Sequence, residues 1–218
     1  MLEMTEYFDL QHTQAADYLR QFAHPWEALD GIAAMIAALG TSLPPEYEQR
    51  APQVWVHQSA TIAPTAYLGG PCIIGANTEV RHGAFVREGA LIGRDCVVGN
   101  SVEIKNAILF DGVQVPHYNY VGDSILGYHS HMGAGAITSN FKADGSEIVL
   151  YCGEQRIPTG RQKIGAMLGD YAEIGCNCVL NPGTMIGRET TVYPLTSVRG
   201  VIPARHIMKS VERIVRKK

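Results

Sequence analysis

The 218-residue sequence lacks a long apolar run, an excess of one charge and a cysteine framework, and each absence excludes a class of protein. No apolar stretch approaches the roughly 20 residues of a membrane-spanning helix. Acidic side chains interrupt the first 20 residues, which have no basic start or apolar core of a signal peptide, so we expect a cytoplasmic protein without a membrane partner. With 18 Lys and Arg against 21 Asp and Glu, the chain lacks the basic footprint of nucleic-acid binding.

The five cysteines indicate neither a disulfide scaffold nor a zinc site. Their number is odd, and none of them forms a CxxC pair. His129 and His131 are separated by one residue, and no further histidine or cysteine near them completes a zinc-ligand spacing. We therefore expect no metal cofactor.

What the sequence does contain is a repeat of six residues. From Val56 to Ile104 every sixth residue is aliphatic, and the register returns from Leu168 to Val198. A small side chain stands two positions before most of these residues. A period of six matches neither the 3.6-residue helical period nor simple strand alternation. A hexad instead corresponds to one short strand and a corner, and three hexads close a triangular coil.

Stacked coils of this kind form a mainly β fold, a single-stranded parallel β-helix with the aliphatic residues inside. The spacing between coils is that of parallel strands, roughly 4.8 Å. Cys72, Cys96 and Cys178 fall in the small inward positions, which favours packing over metal or redox chemistry, whereas Cys176 lies outside them. The period does not determine handedness, and the general rule for parallel crossovers favours the right hand.

The flanks have a different pattern from the repeats. Residues 1–50 predict an N-terminal helical cap and linker, with helices over about 13–22 and 24–40, and residues 51–203 form the β-helix. Residues 204–218 predict a basic amphipathic C-terminal helix with Ile207, Val211 and Ile214 on one face. Both flanks are expected to cover the open strand edges at the ends of the solenoid.

The repeat slips in two places. Around the stretch VPHYNYVGDS (115–124), single-residue deletions shift the aliphatic positions and predict distorted corners. Between Phe141 and Lys163 the register disappears, which predicts an inserted loop over 142–163. Within that loop, IVLYC and QRIPT flank Gly153 and Glu154 and have the pattern of an exposed β-hairpin. Loops that project from a rigid scaffold often carry binding residues.

Three motifs resemble a known family. The segments EIK (103–105), PHYNYVGD (116–123) and GAGAITSNF (133–141) resemble the acetyltransferase half of the bacterial bifunctional enzyme that makes UDP-N-acetylglucosamine, a hexapeptide-repeat acyltransferase. The stretch TGRQKIGAMLGDYAEIGCNCVLNPG resembles archaeal-type sugar-1-phosphate nucleotidyltransferases with an acetyltransferase C-terminus. The resemblance covers about residues 54–200 and implies left-handed coils, a homotrimer and acetyl-CoA as co-substrate. The glycine-rich nucleotide loop of the family is absent, so nucleotidyl transfer is not expected.

The resemblance also implies roles for individual residues. The catalytic base of the family falls on His117, and a neutral histidine with an ordinary pKa near 6.5 suits proton removal from an attacking amine. Arg87 and Lys105 match the cations that bind the sugar phosphate in that family. Phosphate binding requires positive groups with fixed geometry. Tyr120 and Asn140 match positions that contact the sugar.

Three positions depart from the family pattern. His131 stands in place of an asparagine at the substrate site, Phe141 in place of a tyrosine, and Cys176 in place of a serine near the acetyl group. The expected cofactor positions are Ala134 and Cys176, and the positive charge of Arg161, on the inserted segment, makes it a further candidate for contact with the CoA phosphates. Arg161 and its basic neighbours are equally consistent with ordinary surface charge.

Two functional classes are compatible with these residues. The first is an acetyl-CoA-dependent N-acetyltransferase that acts on an amino-sugar 1-phosphate, either glucosamine 1-phosphate or galactosamine 1-phosphate. The second is a non-catalytic β-helix that serves as an oligomerisation or regulatory module for a sugar-nucleotide enzyme. A single histidine at a corner is usually structural, but the accompanying Lys105, Tyr120 and Asn140 favour the first class.

Overall fold

The chain folds into a three-sided prism of stacked coils, described by a computed structural model over residues 2–210 and 213–217. Each coil contributes one short strand to each face, and neighbouring coils pair in parallel. The predicted mainly β fold, a parallel β-helix, is confirmed. Within the described residues, no helix is both long and apolar enough to cross a membrane.

The strands divide among three faces in chain order. The first face contains β2 (Val54–His57), β5 (Cys72–Ile74), β8 (Ala90–Ile92), the ends of β10 (Glu103–Leu109) and β12 (Tyr120–Leu126), β17 (Ala166–Leu168), β20 (Thr184–Ile186) and β23 (Val201–Ile202). The second face contains β3 (Thr61–Ile62), β6 (Glu79–Val80), β9 (Val97–Asn100), β11 (Gln114–His117), β13 (His131–Met132), β18 (Glu173–Ile174), β21 (Thr191–Val192) and β24 (His206–Ser210). The third face contains β4 (Tyr67–Leu68), β7 (Phe85–Val86), the starts of β10 and β12, β14 (Ile137–Thr138), β19 (Val179–Leu180) and β22 (Ser197–Val198).

The interior of the prism is filled by the residues that the hexad predicts. The aliphatic positions are fully buried from Ile74 to Ile104 and again from Leu168 to Val198, while Ile62 and Leu68 in the first coil are partly buried. Cys72, Cys96 and Cys178 are buried beside them, as expected for packing residues. Burial of apolar area at roughly 25 cal/mol per Å² makes this interior the main source of stability.

The predicted slip in the repeat is also confirmed. β10 and β12 each run on from the third face to the first, and each turns the corner at one residue in the left-handed region, Asn106 (φ 46°) and Asp123 (φ 48°). Ala107 pairs with Ala90 on one side and Ser124 on the other, so these coils contain 17 residues, whereas Cys72 and Ala90 are 18 residues apart. The shortened coils bring polar side chains to this corner.

The outer side of the first face forms a second apolar layer. Its outward residues stack in one ladder and most are buried: Trp55, Ile73, Leu91, Ile108, Ile125, Met167, Met185 and the partly buried Val201. Helix α3 (Ile32–Gly40) packs on β5, β8 and β10, and the preceding 3-10 helix (Pro25–Gly31) packs on β12. The N-terminal segment therefore covers a side of the prism instead of capping its end, because this apolar face must be shielded from water.

The predicted N-terminal helices differ in extent from those observed. The expected helix over 24–40 begins as the 3-10 helix and becomes α-helical only at Ile32, and the expected helix over 13–22 shortens to α2 (Ala16–Leu19). Helix α1 (Met4–Tyr7) and a 3-10 turn (Leu10–His12) were not expected. Tertiary packing overrides weak propensity in such short segments.

Both ends of the prism are covered by strands. β1 (Tyr47–Ala51) pairs antiparallel with β2, and β25 (Arg213–Arg216) pairs antiparallel with β24. The predicted C-terminal helix is therefore wrong, and its expected apolar residue Val211 lies outside the described residues. The pairing of Ile207 with Thr191 satisfies the open edge of β21, which a helix could not do.

The inserted segment forms the predicted hairpin, β15 (Val149–Cys152) paired antiparallel with β16 (Gln155–Pro158). An isolated antiparallel bridge between Phe141 and Lys163 closes its base. Ile148 and Leu150 are buried, and both side chains lie against Gly183. The insertion thus covers the later coils where the N-terminal helices do not reach.

Candidate functional site

Three of the predicted site residues stack on the edge between the second and third faces, here called the His117 edge. Asn100 pairs with His117, and the carbonyl of His117 accepts a hydrogen bond from Gly135 N–H at 3.0 Å. Asn177 N–H donates to the carbonyl of Ala134 at 2.8 Å. His117, Ala134 and Cys176 therefore occupy the same position in three successive coils.

The residue that follows each position on this edge adopts a left-handed backbone. Tyr118 has φ 51°, Gly135 φ 72° and Asn177 φ 54°. A Cβ atom at position 135 would lie 2.2 Å from Asn177 Oδ1, so a larger residue there would require the Asn177 side chain to move. Because Gly135 has no side chain, the surface beside Ala134 is recessed between the exposed side chains of His117 and Cys176.

Asn119 is buried beneath this edge, in the inward position that elsewhere holds small or apolar residues. Its Oδ1 accepts from the backbone N–H of His117 at 3.1 Å. Its Nδ2 donates to the carbonyls of Gly133 at 2.8 Å and Ala136 at 3.0 Å, on either side of Ala134. The amide hydrogen-bonding capacity is thus satisfied, and the coils of His117 and Ala134 are joined through one side chain.

The two predicted cations are neighbours at the far end of the third face. The backbone N–H of Arg87 donates to the carbonyl of Ile104, which places Arg87 beside Lys105 in the next coil. Arg87 Nη1 donates to Glu103 Oε1 at 3.0 Å, and Arg87 Nη2 lies 3.5 Å from Glu88 Oε1. The hydrogen bond to Glu103 raises the pKa of Arg87, which stays positively charged.

Tyr120 and Asn140 join the same group. Asn140 Nδ2 donates to Tyr120 Oη at 3.2 Å and also to the carboxylate of Asp123. Tyr120 pairs with Glu103 in the adjacent coil. Burial, followed by the charges of Asp123 and Glu103, raises the pKa of Tyr120, so its hydroxyl remains protonated.

Asp123 is a site residue that sequence analysis did not single out. Its side chain is almost fully buried and accepts from Asn106 Nδ2 at 2.8 Å as well as from Asn140. Two asparagine amides therefore hold its carboxylate beside Tyr120. The slip of the repeat is the feature of the sequence that indicates Asp123, because Asn106 and Asp123 lie at the corners of the two shortened coils.

Two predicted site residues do not join this arrangement. His131 lies on the second face, where its Nδ1 is 2.9 Å from Glu173 Oε2. Arg161 forms an ion pair with Asp30 and donates to the carbonyl of Glu27 at 3.2 Å. Arg161 thus ties the insertion to the N-terminal segment. Among the described residues, no group of three His, Cys, Asp or Glu side chains is placed to hold a metal ion.

Comparison with known proteins finds a family model and several curated relatives. A family model described as "GMPPB C-terminal domain" matches residues 70–151. A bifunctional sugar-1-phosphate nucleotidylyltransferase/acetyltransferase from Sulfurisphaera tokodaii is 34% identical over 91 residues, 42% of this chain and 23% of that protein. A bifunctional protein GlmU from Methanococcus maripaludis is 27% identical over 213 residues, 96% of this chain and 52% of that protein. The chain thus spans about half or less of these relatives, and the resemblance inferred from sequence is confirmed.

Solved structures give weaker similarities. The acetyltransferase domain of PglB from Neisseria gonorrhoeae, in complex with acetyl coenzyme A, is 18% identical, with a TM-score of 0.35 and coverage of 74% of this chain and 56% of that chain. A UDP-N-acetylglucosamine acyltransferase from Francisella novicida is 17% identical, with a TM-score of 0.39 and coverage of 74% and 67%.

Proposed function

We propose that the protein is an acetyl-CoA-dependent N-acetyltransferase that acts on an amino-sugar 1-phosphate, glucosamine 1-phosphate or galactosamine 1-phosphate. The observation that carries the proposal is the stacking of His117, Ala134 and Cys176 on one edge, beside a face that ends in Arg87 and Lys105. A side chain suited to act as a base and two cations suited to bind a phosphate thus lie on adjoining surfaces, and this arrangement supports the proposal. The similarity to bifunctional sugar-1-phosphate enzymes supports the same activity.

His117 would act as the general base. The amine of the sugar attacks the thioester carbonyl, the new N–C bond forms, and the C–S bond breaks to release CoA thiolate. The imidazole accepts the proton that the nitrogen loses. His117 is exposed, and the hydrogen bond from its N–H to Asn119 fixes its backbone at the corner.

Arg87 and Lys105 would bind the sugar phosphate. Arg87 is already paired with Glu103, so a phosphate must share or displace this carboxylate. No hydrogen bond or ion pair of the Lys105 ammonium is present among the described side chains, which leaves it available as a second cation. Tyr120 and Asn140, linked at 3.2 Å, supply polar groups for the sugar hydroxyls between these cations and His117.

Acetyl-CoA would lie along the His117 edge. The positions of His117, Ala134, Cys176 and Pro194 are successive, since Leu195 N–H donates to the Cys176 carbonyl at 2.9 Å. Three steps at roughly 4.8 Å span about 14 Å, which suits an extended pantetheine arm. Near the far end, Lys209 Nζ lies 5.8 Å from the Tyr193 ring centre and could meet the cofactor phosphates. Arg161 is not part of this path because it is engaged by Asp30.

A homotrimer is part of the proposal. Large apolar side chains are exposed along the third face and its two edges: Tyr67, Phe85, Tyr118, Phe141, Val179 and Leu195. The first face is covered by the chain itself, and the outward residues of the second face are mostly polar. Contact between copies through the third face would cover this apolar strip and place a neighbouring subunit beside His117.

A second candidate function is a non-catalytic β-helix that acts as an oligomerisation or regulatory module. It is compatible with the match of residues 70–151 to a family model described as a C-terminal domain. The His117 side chain also has no carboxylate partner among the described residues, unlike a histidine oriented for catalysis by an acidic group.

The deciding experiment measures CoA release from acetyl-CoA with each amino-sugar 1-phosphate, for the wild-type protein and His117→Ala. Turnover with one sugar that falls by at least 100-fold in the variant supports the transferase. His82→Ala, on the same edge but two coils away, is the matched control and is expected to retain activity. Absence of turnover with both sugars, or equal turnover in His117→Ala, would favour the non-catalytic module.

A further inference from the structure

The second face carries a cleft that the proposed transfer reaction does not use. It lies toward the edge between the first and second faces, has a volume of about 430 Å³ and is lined by Gly112, Gln114, His129, His131, Tyr171 and Glu173. This volume falls within the range of small-molecule sites. We call this feature the Tyr171 cleft.

Aromatic rings form one wall of the cleft. The rings of His129 and Tyr171 are nearly parallel, at 13° and 5.8 Å between centres, and Tyr171 is half exposed. Tyr128 packs edge-on against both rings, and the His12 ring stacks on Tyr128 at 3.7 Å. The exposed face of Tyr171 is therefore supported from behind and offers a fixed flat apolar surface.

Polar groups form the opposite wall. Gln114, His131 and Glu173 are register partners on successive coils, so their side chains project from the same face. His131 Nδ1 is 2.9 Å from Glu173 Oε2, so Nδ1–H donates to this carboxylate, and Nε2 takes no part in the contact. An amide, an imidazole nitrogen and a carboxylate thus lie in one row beside the aromatic surface.

We infer that the Tyr171 cleft binds a neutral sugar ring. The C–H face of a pyranose packs on a flat aromatic ring, and its hydroxyl groups both donate and accept, which matches the row of Gln114, His131 and Glu173. The described residues that line the cleft include a carboxylate but neither lysine nor arginine, a composition that disfavours a phosphate. The bound ring would lie roughly 10 Å from His117, since Gln114 and His117 are three residues apart on one strand.

The test measures saturation transfer by NMR from the protein to N-acetylglucosamine and to N-acetylgalactosamine, with uridine monophosphate as an anionic comparison. No acetyl-CoA is added, so the result does not depend on the proposed transferase activity. Tyr171→Asn removes the ring, and asparagine tolerates the left-handed backbone at this position, φ 58°. Glu173→Gln removes the charge that orients His131. Tyr151→Asn, on the exposed hairpin, is the matched control.

The expected result is saturation of sugar ring protons in the wild-type protein and Tyr151→Asn, with at least a fivefold loss in Tyr171→Asn and Glu173→Gln. His117→Ala is expected to bind as the wild type does. Two results would overturn the inference: no saturation of either sugar by the wild-type protein, or equal saturation in Tyr171→Asn. Stronger saturation of uridine monophosphate that competes with the sugars would identify a nucleotide site instead.

Discussion

Asn119 and His117 are joined by a hydrogen bond of 3.1 Å, from the backbone N–H of His117 to the buried amide oxygen of Asn119. The same amide donates to two carbonyls that flank Ala134 in the next coil. The corner that presents the candidate base is therefore held by one polar side chain in a row that otherwise holds small or apolar residues. Its position depends on this interaction inside the prism as well as on the backbone hydrogen bond from Gly135 N–H to the His117 carbonyl.

Substitution of Asn119 tests this dependence. We expect Asn119→Ala to lose about 1–3 kcal/mol of unfolding free energy, because two buried carbonyls lose their donor. Acetyl transfer is expected to fall at least tenfold in kcat with little change in KM for acetyl-CoA. Thr196→Ala is the control, since Thr196 occupies the same inward position and bonds only to backbone carbonyls of its own corner. If Thr196→Ala loses as much stability as Asn119→Ala but keeps its kcat, the loss of kcat in Asn119→Ala comes from the displacement of His117 and not from destabilisation. Equal kcat in the two variants would contradict the role of Asn119.

The cysteines should differ sharply in reactivity. Burial raises the pKa of Cys72 and of Cys96 to about 12 and also raises that of Cys178, so these thiols are neither ionised nor accessible near pH 8. Cys176 is exposed. Mass spectrometry after iodoacetamide treatment of the native protein is expected to find label on Cys176 and none on Cys72 or Cys96.

The same labelling experiment, repeated in the presence of acetyl-CoA, tests the proposed cofactor path. If the cofactor lies along the His117 edge, it should slow the modification of Cys176 at least fivefold. Cys152, on the inserted hairpin and partly exposed, serves as the internal control whose labelling rate should not change. Protection of both cysteines, or of neither, would count against the proposed path.

The sequence predicts the coils better than the site, for a definite physical reason. Each inward position in a hexad is read from neighbours six residues away, so Ile74 or Val98 is recognisable from local periodicity alone. The stacking of Ala134 on Cys176 is not recognisable in this way. These residues are 42 positions apart because the insertion lies between them, and this separation is not a whole number of 18-residue coils, so coil counting does not recover their alignment.

The C-terminal segment shows a different limit of prediction from the sequence. Ile207 and Ile214 are seven residues apart and have helical spacing, yet they lie on adjacent antiparallel strands. The deciding factor is the unpaired edge of β21, which requires backbone partners that amphipathic periodicity cannot indicate. β1 was likewise expected to be a linker, because its polar sequence YEQRA lacks strand alternation.

The two apolar layers on either side of the first face should contribute comparably to stability. Ile108 points outward under helix α3 and is fully buried, as is the inward Leu109 on the same strand. We expect Ile108→Ala to lower the unfolding free energy by about 2–5 kcal/mol, as is usual for a buried large-to-small change. Chemical denaturation measures the effect, with the partly exposed Val179→Ala as the control. A loss below about 0.5 kcal/mol at Ile108 would show that the N-terminal helices do not shield this face in solution.

Arg161 should hold the insertion against the N-terminal segment. Because its partner Asp30 is exposed, the ion pair itself is worth about 1 kcal/mol or less. Arg161→Ala is nevertheless expected to accelerate amide hydrogen exchange over 142–163 by at least tenfold, through loss of the bond to the Glu27 carbonyl as well. Arg156→Ala, an exposed arginine of the same hairpin, is the comparison. Unchanged exchange in Arg161→Ala would mean that the hairpin is retained by Ile148 and Leu150 alone.

The proposed trimer can be tested at its apolar strip. Leu195 is 80% exposed on the His117 edge, so Leu195→Glu should shift the mass measured by light scattering from three copies toward one. Tyr171→Glu introduces the same charge on a different edge and is expected to leave the mass unchanged. A wild-type protein with the mass of a single chain would contradict the trimer.

The path of residues 4–12 has a consequence for how the molecule is assembled in the cell. The backbone N–H of Asp9 donates to the carboxylate of Asp170, 161 positions later, and the carbonyl of His12 accepts from Asp111 N–H. A ribosome releases the N-terminal segment long before it has synthesised either partner. The coils can stack one upon another as they emerge, through contacts between neighbouring repeats. Residues 4–12 are therefore made before most of the groups they contact, and the nascent chain exposes Phe8 at least until its ring partner Phe110, in the fourth coil, has been synthesised. The bond from Asp9 to Asp170 forms only after the sixth coil has begun.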